Sequence, residues 1–447
     1  MGAYALFTAV YTVLSVARYD RVDARSWDLA IFSQAARSYA ERGYPLVDIK
    51  GPGVNLLGDH FSPVIALFGP LWALAPSPVT LLVVQAVLLA FSVAVVLATA
   101  VRHLGPFPGT AVGLAYGLSF GLVQAADFDV HEVAFAAPLL ALAGAAYLRR
   151  DWRWAALWSG ALVLVKEDQG VTVIAVGLVL LLVGAQRWGI GLIAFGLVAT
   201  LLVLLVVIPL LNTGGYDYWS RLSGADGEGN PVPWLLRAFW PEEKLGTLLL
   251  TFGITGFLAL RSPWVLVALP TLGWRFLSDY DAYWGTEWHY SLTLMPIVFV
   301  AMIDGILRAR VSRPRWLARY AEQGAAVALT AALVLASQYP LRDLVEPSTY
   351  ADTAREQAAE TVVDRIPDGD SVDTDIGLIA QLVADHDVTF IGTNTGPDMV
   401  TPDWVVVDTR LGWQSGGIAR WAQGHYPGTR WEDVPVGGGY LLAERVD

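Results

Sequence analysis

The sequence predicts an α-helical polytopic membrane protein of about eleven transmembrane helices, with interfacial helices in its first outer loop and a small soluble α/β domain at its C-terminal end. Three observations carry this prediction. Of 447 residues, 55% are hydrophobic and only 16% are charged. Apolar runs of bilayer-spanning length recur, among them PVTLLVVQAVLLAFSVAVVLATAV and WGIGLIAFGLVATLLVLLVVIPLL. A helix in a soluble core needs only an apolar stripe, so repeated runs that are apolar all round exclude a single globular core. From about Arg342 the composition changes to that of a soluble domain.

Spans are expected at about 3–18, 79–101, 108–126, 132–149, 153–166, 170–186, 188–211, 244–260, 263–277, 290–307 and 322–340. The first run, from Tyr4, has no basic region before it and no small-residue cleavage site after it, so it reads as an uncleaved span. Segments 153–166 and 263–277 are shorter than the roughly 20 residues a perpendicular helix needs, and bent or re-entrant helices are expected there.

Between the first two spans lies a long loop, 19–78. Its residues 24–42 place Trp27, Ile31, Ala35 and Tyr39 at helical spacing on one face, the pattern of an amphipathic helix lying in the membrane interface. After a glycine-rich turn, residues 62–76 are apolar but short and interrupted by proline, which predicts a second interfacial or re-entrant helix. In the C-terminal region TAREQAAETVVDRI has helical periodicity, and DSVDTDI, DVTFIG, DWVVVDTR and GGYLLAERV read as strands. The expected organisation is a membrane domain, 1–340, followed by an extracytoplasmic α/β domain, 341–447. The glycine turns of that domain match neither GxGxxG nor a Walker motif, so no nucleotide site is assigned.

Counting spans distributes the charges asymmetrically. Arg102, His103, Arg149, Arg150, Arg153, Arg187, Arg261, Arg308, Arg310, Arg313, Arg315 and Arg319 fall on one face, which the positive-inside rule makes cytoplasmic. The other face receives loops 19–78, 127–131, 167–169, 212–243 and 278–289 and everything after about 341. A formal charge of −12 argues against a nucleic-acid partner. The absence of cysteine rules out disulfides, thiol nucleophiles and Cys-based metal sites.

Five polar motifs then share the outer face: WDLAIFSQ, GDHFSP, DFDVHE, KED and EWHY. Asp28 sits on the interfacial helix among Trp27, Leu29 and Ile31. A partly desolvated carboxylate at a cavity mouth can act as a general base toward a hydroxyl, although Ser26 or Asp28 could equally cap the helix. Asp59 could cap the following helix, while its neighbour His60 adds a group able to bind a metal or phosphate or to relay a proton. Asp127, Asp129, His131 and Glu132 crowd more ionisable groups than a turn between spans needs. Carboxylates and imidazoles at a membrane edge are costly to desolvate and point to function; Asp129, His131 and Glu132 are candidate ligands of a divalent cation (Mg or Mn). Lys166 either neutralises Glu167 and Asp168 beside it or meets a phosphate at the cavity mouth. Trp288, His289 and Tyr290 read as an interfacial belt or as a platform for sugar rings and isoprenoid chains.

In order, WDLAIFSQ, GDHFSPVIALFGPLWALAPSPVTLLVVQA, DFDVHEVAFAAPLL and LVKEDQGV resemble the family of bacterial and archaeal membrane proteins known as domain of unknown function 2079. That family is similar to the GT-C glycosyltransferases, which have many spans, a first outer loop with two interfacial helices, and a catalytic carboxylate in that loop. The resemblance implies a GT-C-like fold and transfer of a sugar from a polyprenyl-phosphate donor to an extracytoplasmic glycan, lipid or protein of the cell envelope, with inversion at the anomeric carbon. It implies Asp28 as the catalytic base. Asp59, His60, Asp129, His131, Glu132, Lys166, Glu167 and Asp168 are then expected to contact the donor phosphate or a metal, and Trp27, Gln34, Trp288, His289 and Tyr290 to bind substrate. The chain has Val130 and Val133 where the related pattern has an aromatic residue and a proline.

A second reading is a transporter or flippase for a lipid-linked or anionic solute, with the same groups lining its path. Transporters commonly show internal repeats and polar groups near the bilayer midplane. Here no repeat is evident and the motifs lie at span ends, which favours the transferase. A third reading is an assembly protein whose outer α/β domain binds a partner.

Overall fold

The computed structural model of the chain describes residues 2–23, 26–212, 239–414 and 416–446. Most of the outer loop expected at 212–243 lies outside the described residues.

Each of the expected apolar segments folds as helix. The first is α1 (Gly2–Asp20). The interfacial helix follows as α2 (Asp28–Arg42), and a short 3-10 turn leads into α3 (Phe68–Leu74). Helix α4 (Pro78–Leu104) begins on Ser77, whose hydroxyl accepts the Val79 N–H at 3.2 Å, with Pro78 at a position where its missing N–H costs nothing. Its 27 residues span about 40 Å, enough to cross the hydrocarbon and reach both interfaces.

The run expected as one span at 108–126 is interrupted, giving α5 (Pro106–Gly117) and α6 (Phe120–Asp127). The interruption coincides with α1 packing against it. Tyr11 Oη donates to the Gly117 carbonyl at 2.5 Å, and a side chain at Gly117 would strike the Phe7 ring. Next come α7 (Ala136–Leu148), α8 (Trp152–Gly160), α9 (Gln169–Leu182) and α10 (Gln186–Leu202), the last prolonged through a π-helical turn to Leu211. After α11 (Glu242–Gly253), two 3-10 segments lead to α12 (Leu269–Leu277). The two segments read as too short for a straight span, 153–166 and 263–277, are thus mixtures of α and 3-10 turns.

Pro78–Leu104, Pro106–Asp127, Gln186–Leu211 and His289–Arg310 are long and apolar enough to cross a membrane. They pack in different ways. Helix α13 (Leu294–Arg310) is nearly enclosed by protein, whereas little of Gln186–Leu211 is covered and its leucines and valines point outward. Close approach at α13 uses missing side chains: a Cβ on Gly144 of α7 would lie 2.7 Å from Val300, and one on Gly305 would collide with the Leu258 carbonyl. Helix α14 (Arg315–Ala336) completes the helical part.

The C-terminal part is a small mixed sheet, β2-β1-β3-β5-β4. Strands β1 (Ser371–Thr374), β2 (Asp387–Phe390) and β3 (Trp404–Asp408) are parallel; β5 (Tyr440–Arg445) runs antiparallel to β3 and to β4 (Trp431–Val434). The expected helix is α15 (Ala354–Val363), opened by a reciprocal cap between Thr353 and Glu356. Strand β4 and helix α16 (Ala419–His425) were not among the expected elements. WEDV of β4 is half-exposed at the sheet edge and too polar to register as a buried strand.

This sheet is fastened to the end of α1 and to the long loop that follows it. Gln381 Nε2 donates to the Tyr19 carbonyl, Arg37 donates to the His386 carbonyl at 3.0 Å, and the Trp27 ring meets Phe390 edge-on at 4.9 Å. The loop is thereby held between the helical part and the sheet.

Candidate functional site

Asp28 opens α2, and the turn before it fixes its place. Ser26 Oγ accepts the Asp28 N–H at 3.0 Å and donates to Asp129 Oδ2 at 2.9 Å. Of the two residues that could have capped the helix, Ser26 is therefore the one that satisfies the exposed N–H. The helix ends at Gly43, whose left-handed conformation (φ 82°) lets its N–H bond Tyr39. Among the described residues the Asp28 carboxylate makes no hydrogen bond or ion pair, so it stands ready to accept one from a ligand.

Asp28 borders a cavity of about 830 Å³ that all five polar motifs share. Trp27 and Asp28 come from the first, Asp59 and His60 from the second, His131 and Glu132 from the third, Lys166, Glu167 and Asp168 from the fourth, and Trp288, His289 and Tyr290 from the fifth. The polar groups pair chiefly across motifs. Lys166 Nζ lies 2.8 Å from Glu132 Oε1 in an ion pair, and His131 Nδ1 lies 2.9 Å from Glu132 Oε2. His60 Nδ1 lies 2.9 Å from Glu167 Oε1, while Glu167 Oε2 accepts the Phe61 N–H at 3.1 Å. Lys50 Nζ lies 3.0 Å from Asp59 Oδ2 and 5.0 Å from the centre of the Trp27 ring.

Two imidazoles face each other in this wall, with the His131 and His289 rings stacked 3.7 Å apart at 26°. The His289 ring also touches Phe128, and its Nδ1 has no hydrogen-bond partner among the described residues.

The loop carboxylates differ in their protonation. Burial raises the Asp59 carboxyl, but His60 and Lys50 outweigh it and hold the group below the usual range. Glu167 behaves alike: burial opposes ionisation, and the contact with His60 overcomes it. Asp168 is pushed up to about 6 by burial, which Lys166 only partly offsets. Asp129 is pushed up to about 7, again chiefly by burial, with Arg18 acting the other way and Asp28 adding to the rise.

Two of the expected site residues lie away from this cavity. Asp129 points to Ser26 and borders a separate small pocket beside Arg18 and Gln381. Gln34 faces the sheet: its Nε2 donates to the Val388 carbonyl and its Oε1 accepts the Ile49 N–H, both at 3.0 Å. The same placement bears on metal binding. With Asp129 turned away and Glu132 occupied by Lys166 and His131, the trio Asp129, His131 and Glu132 does not converge as ligands. Among the described residues no group of three His, Asp or Glu side chains has the arrangement to hold a metal ion. A divalent cation therefore does not fit the expected trio, and no chemical step is derived through one.

Other residues border the cavity without belonging to any of the motifs. Lys50 comes from VDIKGPG, where glycine and proline announced only a turn; Trp274, Tyr280 and Tyr283 add to the aromatic wall. Arg275, fully buried behind that wall, donates to the carbonyls of Tyr283, Gly285 and Tyr290 and to Ser291 Oγ. It staples the loop that presents Trp288, His289 and Tyr290. An arginine in an apolar helix was the available signal for it.

A family profile described as a predicted membrane protein, DUF2079, matches residues 18–431. Among solved structures, the chain is similar to ArnT from Cupriavidus metallidurans bound to undecaprenyl phosphate, with a TM-score of 0.63 and 13% identity over 99% of this chain and 98% of that one. It is also similar to the same protein in the apo state, with a TM-score of 0.59 and 12% identity over 99% and 97% of the two chains. At such identity the likeness is one of fold. A sequence search of curated proteins finds no match.

Proposed function

The chain belongs to the DUF2079 family of predicted membrane proteins, and from that premise we propose that it is a GT-C-type membrane glycosyltransferase. In this reading it takes a sugar from a polyprenyl-phosphate donor and transfers it to an extracytoplasmic acceptor, a glycan, lipid or protein of the cell envelope. The observation that carries the proposal is the convergence of five separate motifs on one cavity beside Asp28, in a chain whose fold resembles that of ArnT along nearly its full length. One of those ArnT structures is bound to undecaprenyl phosphate, which supports a polyprenyl phosphate as the ligand class here. In the same reading about eleven spans cross the plasma membrane, residues 1–340 form the membrane domain, and residues 341–447 together with the cavity lie outside.

The proposed chemistry is a single displacement. The acceptor hydroxyl attacks the anomeric carbon while its proton passes to the Asp28 carboxylate; the bond from that carbon to the phosphate oxygen breaks, and polyprenyl phosphate leaves with the electron pair. One attack from the face opposite the leaving group inverts the anomeric centre. Lys50, Lys166, His60 and His131 are the groups proposed to meet the leaving phosphate, each lysine with N–H donors and each imidazole with an Nε2 beyond its contact with a carboxylate. Trp27, Trp288, His289 and Tyr290 supply flat surfaces for the sugar and the first isoprene units. Glu132, Glu167 and Asp59 hold those groups in place between turnovers.

The test supplies purified protein with a panel of polyprenyl-phosphate sugars and an acceptor extract and measures released polyprenyl phosphate, with Asp28→Asn as control. Release by the wild type and loss in the variant support the reading. Equal release by both would remove Asp28 from the mechanism, and translocation of an intact lipid-linked sugar without release would favour a flippase.

A further inference from the structure

Strand β2 and the residues just after it, 388–393, make three contacts with the segments that carry the cavity wall, of which only Trp27 is itself a wall residue. Val388 O accepts from Gln34 Nε2 at 3.0 Å, Phe390 packs edge-on against Trp27 at 4.9 Å, and Thr393 Oγ1 donates to the Ile49 carbonyl at 2.7 Å. The Gln34 amide has only one orientation that satisfies both of its contacts, donating to the Val388 carbonyl and accepting the Ile49 N–H. Both backbone polar groups of Ile49 are thus held, the N–H by Gln34 and the C=O by Thr393, and its side chain is fully buried. Lys50 comes next in the chain, and its ammonium reaches Asp59 and the face of Trp27. Gln34 also lies on the same helix as Asp28, less than two turns further along.

We propose that Gln34 is a positioning residue, a three-way clip by which the C-terminal sheet sets Lys50 and Trp27 in register with Asp28 across the cavity. The geometry stands by itself, and what the wall does chemically rests on the transferase reading. Without Gln34 the Ile49–Lys50 turn, with glycine and proline directly after it, keeps only the Thr393 bond to the C-terminal part, beside the Lys50–Asp59 ion pair and bonds within the loop. The sheet is then a component of the site and not an appendage, although none of its residues borders the cavity.

The experiment uses the full chain in nanodiscs and reads two signals. Hydrogen exchange of the peptide covering residues 46–56 is expected to rise roughly five- to tenfold in Gln34→Met and in Thr393→Val, since each removes one bond to Ile49. Protection in Pro78–Leu104 should stay as in the wild type. Gln34→Glu keeps an acceptor for the Ile49 N–H but sets a carboxylate oxygen against the Val388 carbonyl, so it should lose local protection as well. In donor turnover, Gln34→Met should raise the donor KM roughly five- to tenfold and leave kcat within about twofold. Unchanged exchange in both variants, or exchange raised throughout the chain, overturns the clip. An unchanged donor KM in an active background overturns its role in the site. A wild type that releases no lipid phosphate from any donor sinks the transferase reading, and the exchange result still decides the clip.

Discussion

Lys166 Nζ stands 2.8 Å from Glu132 Oε1, joining two motifs that come from different pairs of helices. Glu132 is 1% exposed at its side chain and Lys166 19%. Removing one partner of such a pair strands the other charge, at a cost of about 3–5 kcal/mol, whereas removing both costs far less. Lys166→Met should therefore lower the thermal midpoint markedly in detergent, and adding Glu132→Gln should restore more than half of the loss. A single variant as stable as the wild type would show that the pair does not hold the two helix ends together.

Asp28 presents the opposite case. With no bond to a described residue, its carboxylate contributes little to the fold, and Asp28→Asn should keep stability within about 0.5 kcal/mol of the wild type. Lipid-phosphate release should fall at least about 100-fold, the scale on which a general base contributes. Comparing thermal melts with turnover separates the two effects.

Asp129 carries a pH dependence whose sign follows from its burial. Its carboxyl in the folded chain is pushed up to about 7, above an ordinary unfolded value near 4. Between those limits the folded state binds more protons than the unfolded one, so stability falls as pH rises from about 4 to about 7. An asparagine in its place would still accept from Ser26 without ionising, so Asp129→Asn should flatten that slope, with a thermal midpoint above the wild type at about pH 8 and near it at about pH 4. Parallel slopes in the two proteins would mean that Asp129 does not titrate in this range.

Orientation is testable because the chain contains no cysteine. Val345 is 83% exposed before the sheet, and Val311 is 85% exposed among the basic residues after α13. With the cavity outside, Val345→Cys should react with a membrane-impermeant maleimide on intact cells and Val311→Cys only after permeabilisation. The reverse pattern would place the cavity in the cytoplasm.

The helices were legible because apolar runs of this length have few alternatives, and the strands because VVV and alternating runs are bounded by turn residues. What escaped was mostly a matter of neighbours. The interruption near Gly117 depends on Phe7 and Tyr11 of another helix, which no local pattern encodes. The motifs were visible as polar groups at the ends of apolar runs, but their pairing was not: in sequence Lys166 is as well placed to neutralise Glu167 and Asp168 beside it as to meet a phosphate, yet its ion pair is with Glu132 of another motif. The family resemblance puts Gln34 among the substrate-binding residues. Its side chain turns toward the sheet because Ile49 and Val388 offer it a donor and an acceptor at once. Asp129, His131 and Glu132 are close in sequence, yet Asp129 bonds Ser26 outside the cavity while His131 and Glu132 line it.

The clip between Gln34 and Val388 closes a loop of 354 residues. The ribosome therefore releases Asp28, Trp27 and Lys50 long before it makes the strand that holds them. A partly translated chain already threaded into the bilayer would carry the polar groups of the cavity without their support, and only the sheet would complete it. Premature termination anywhere before residue 388 should then yield an inserted but incompetent protein, so that full-length synthesis itself acts as the switch that turns the site on.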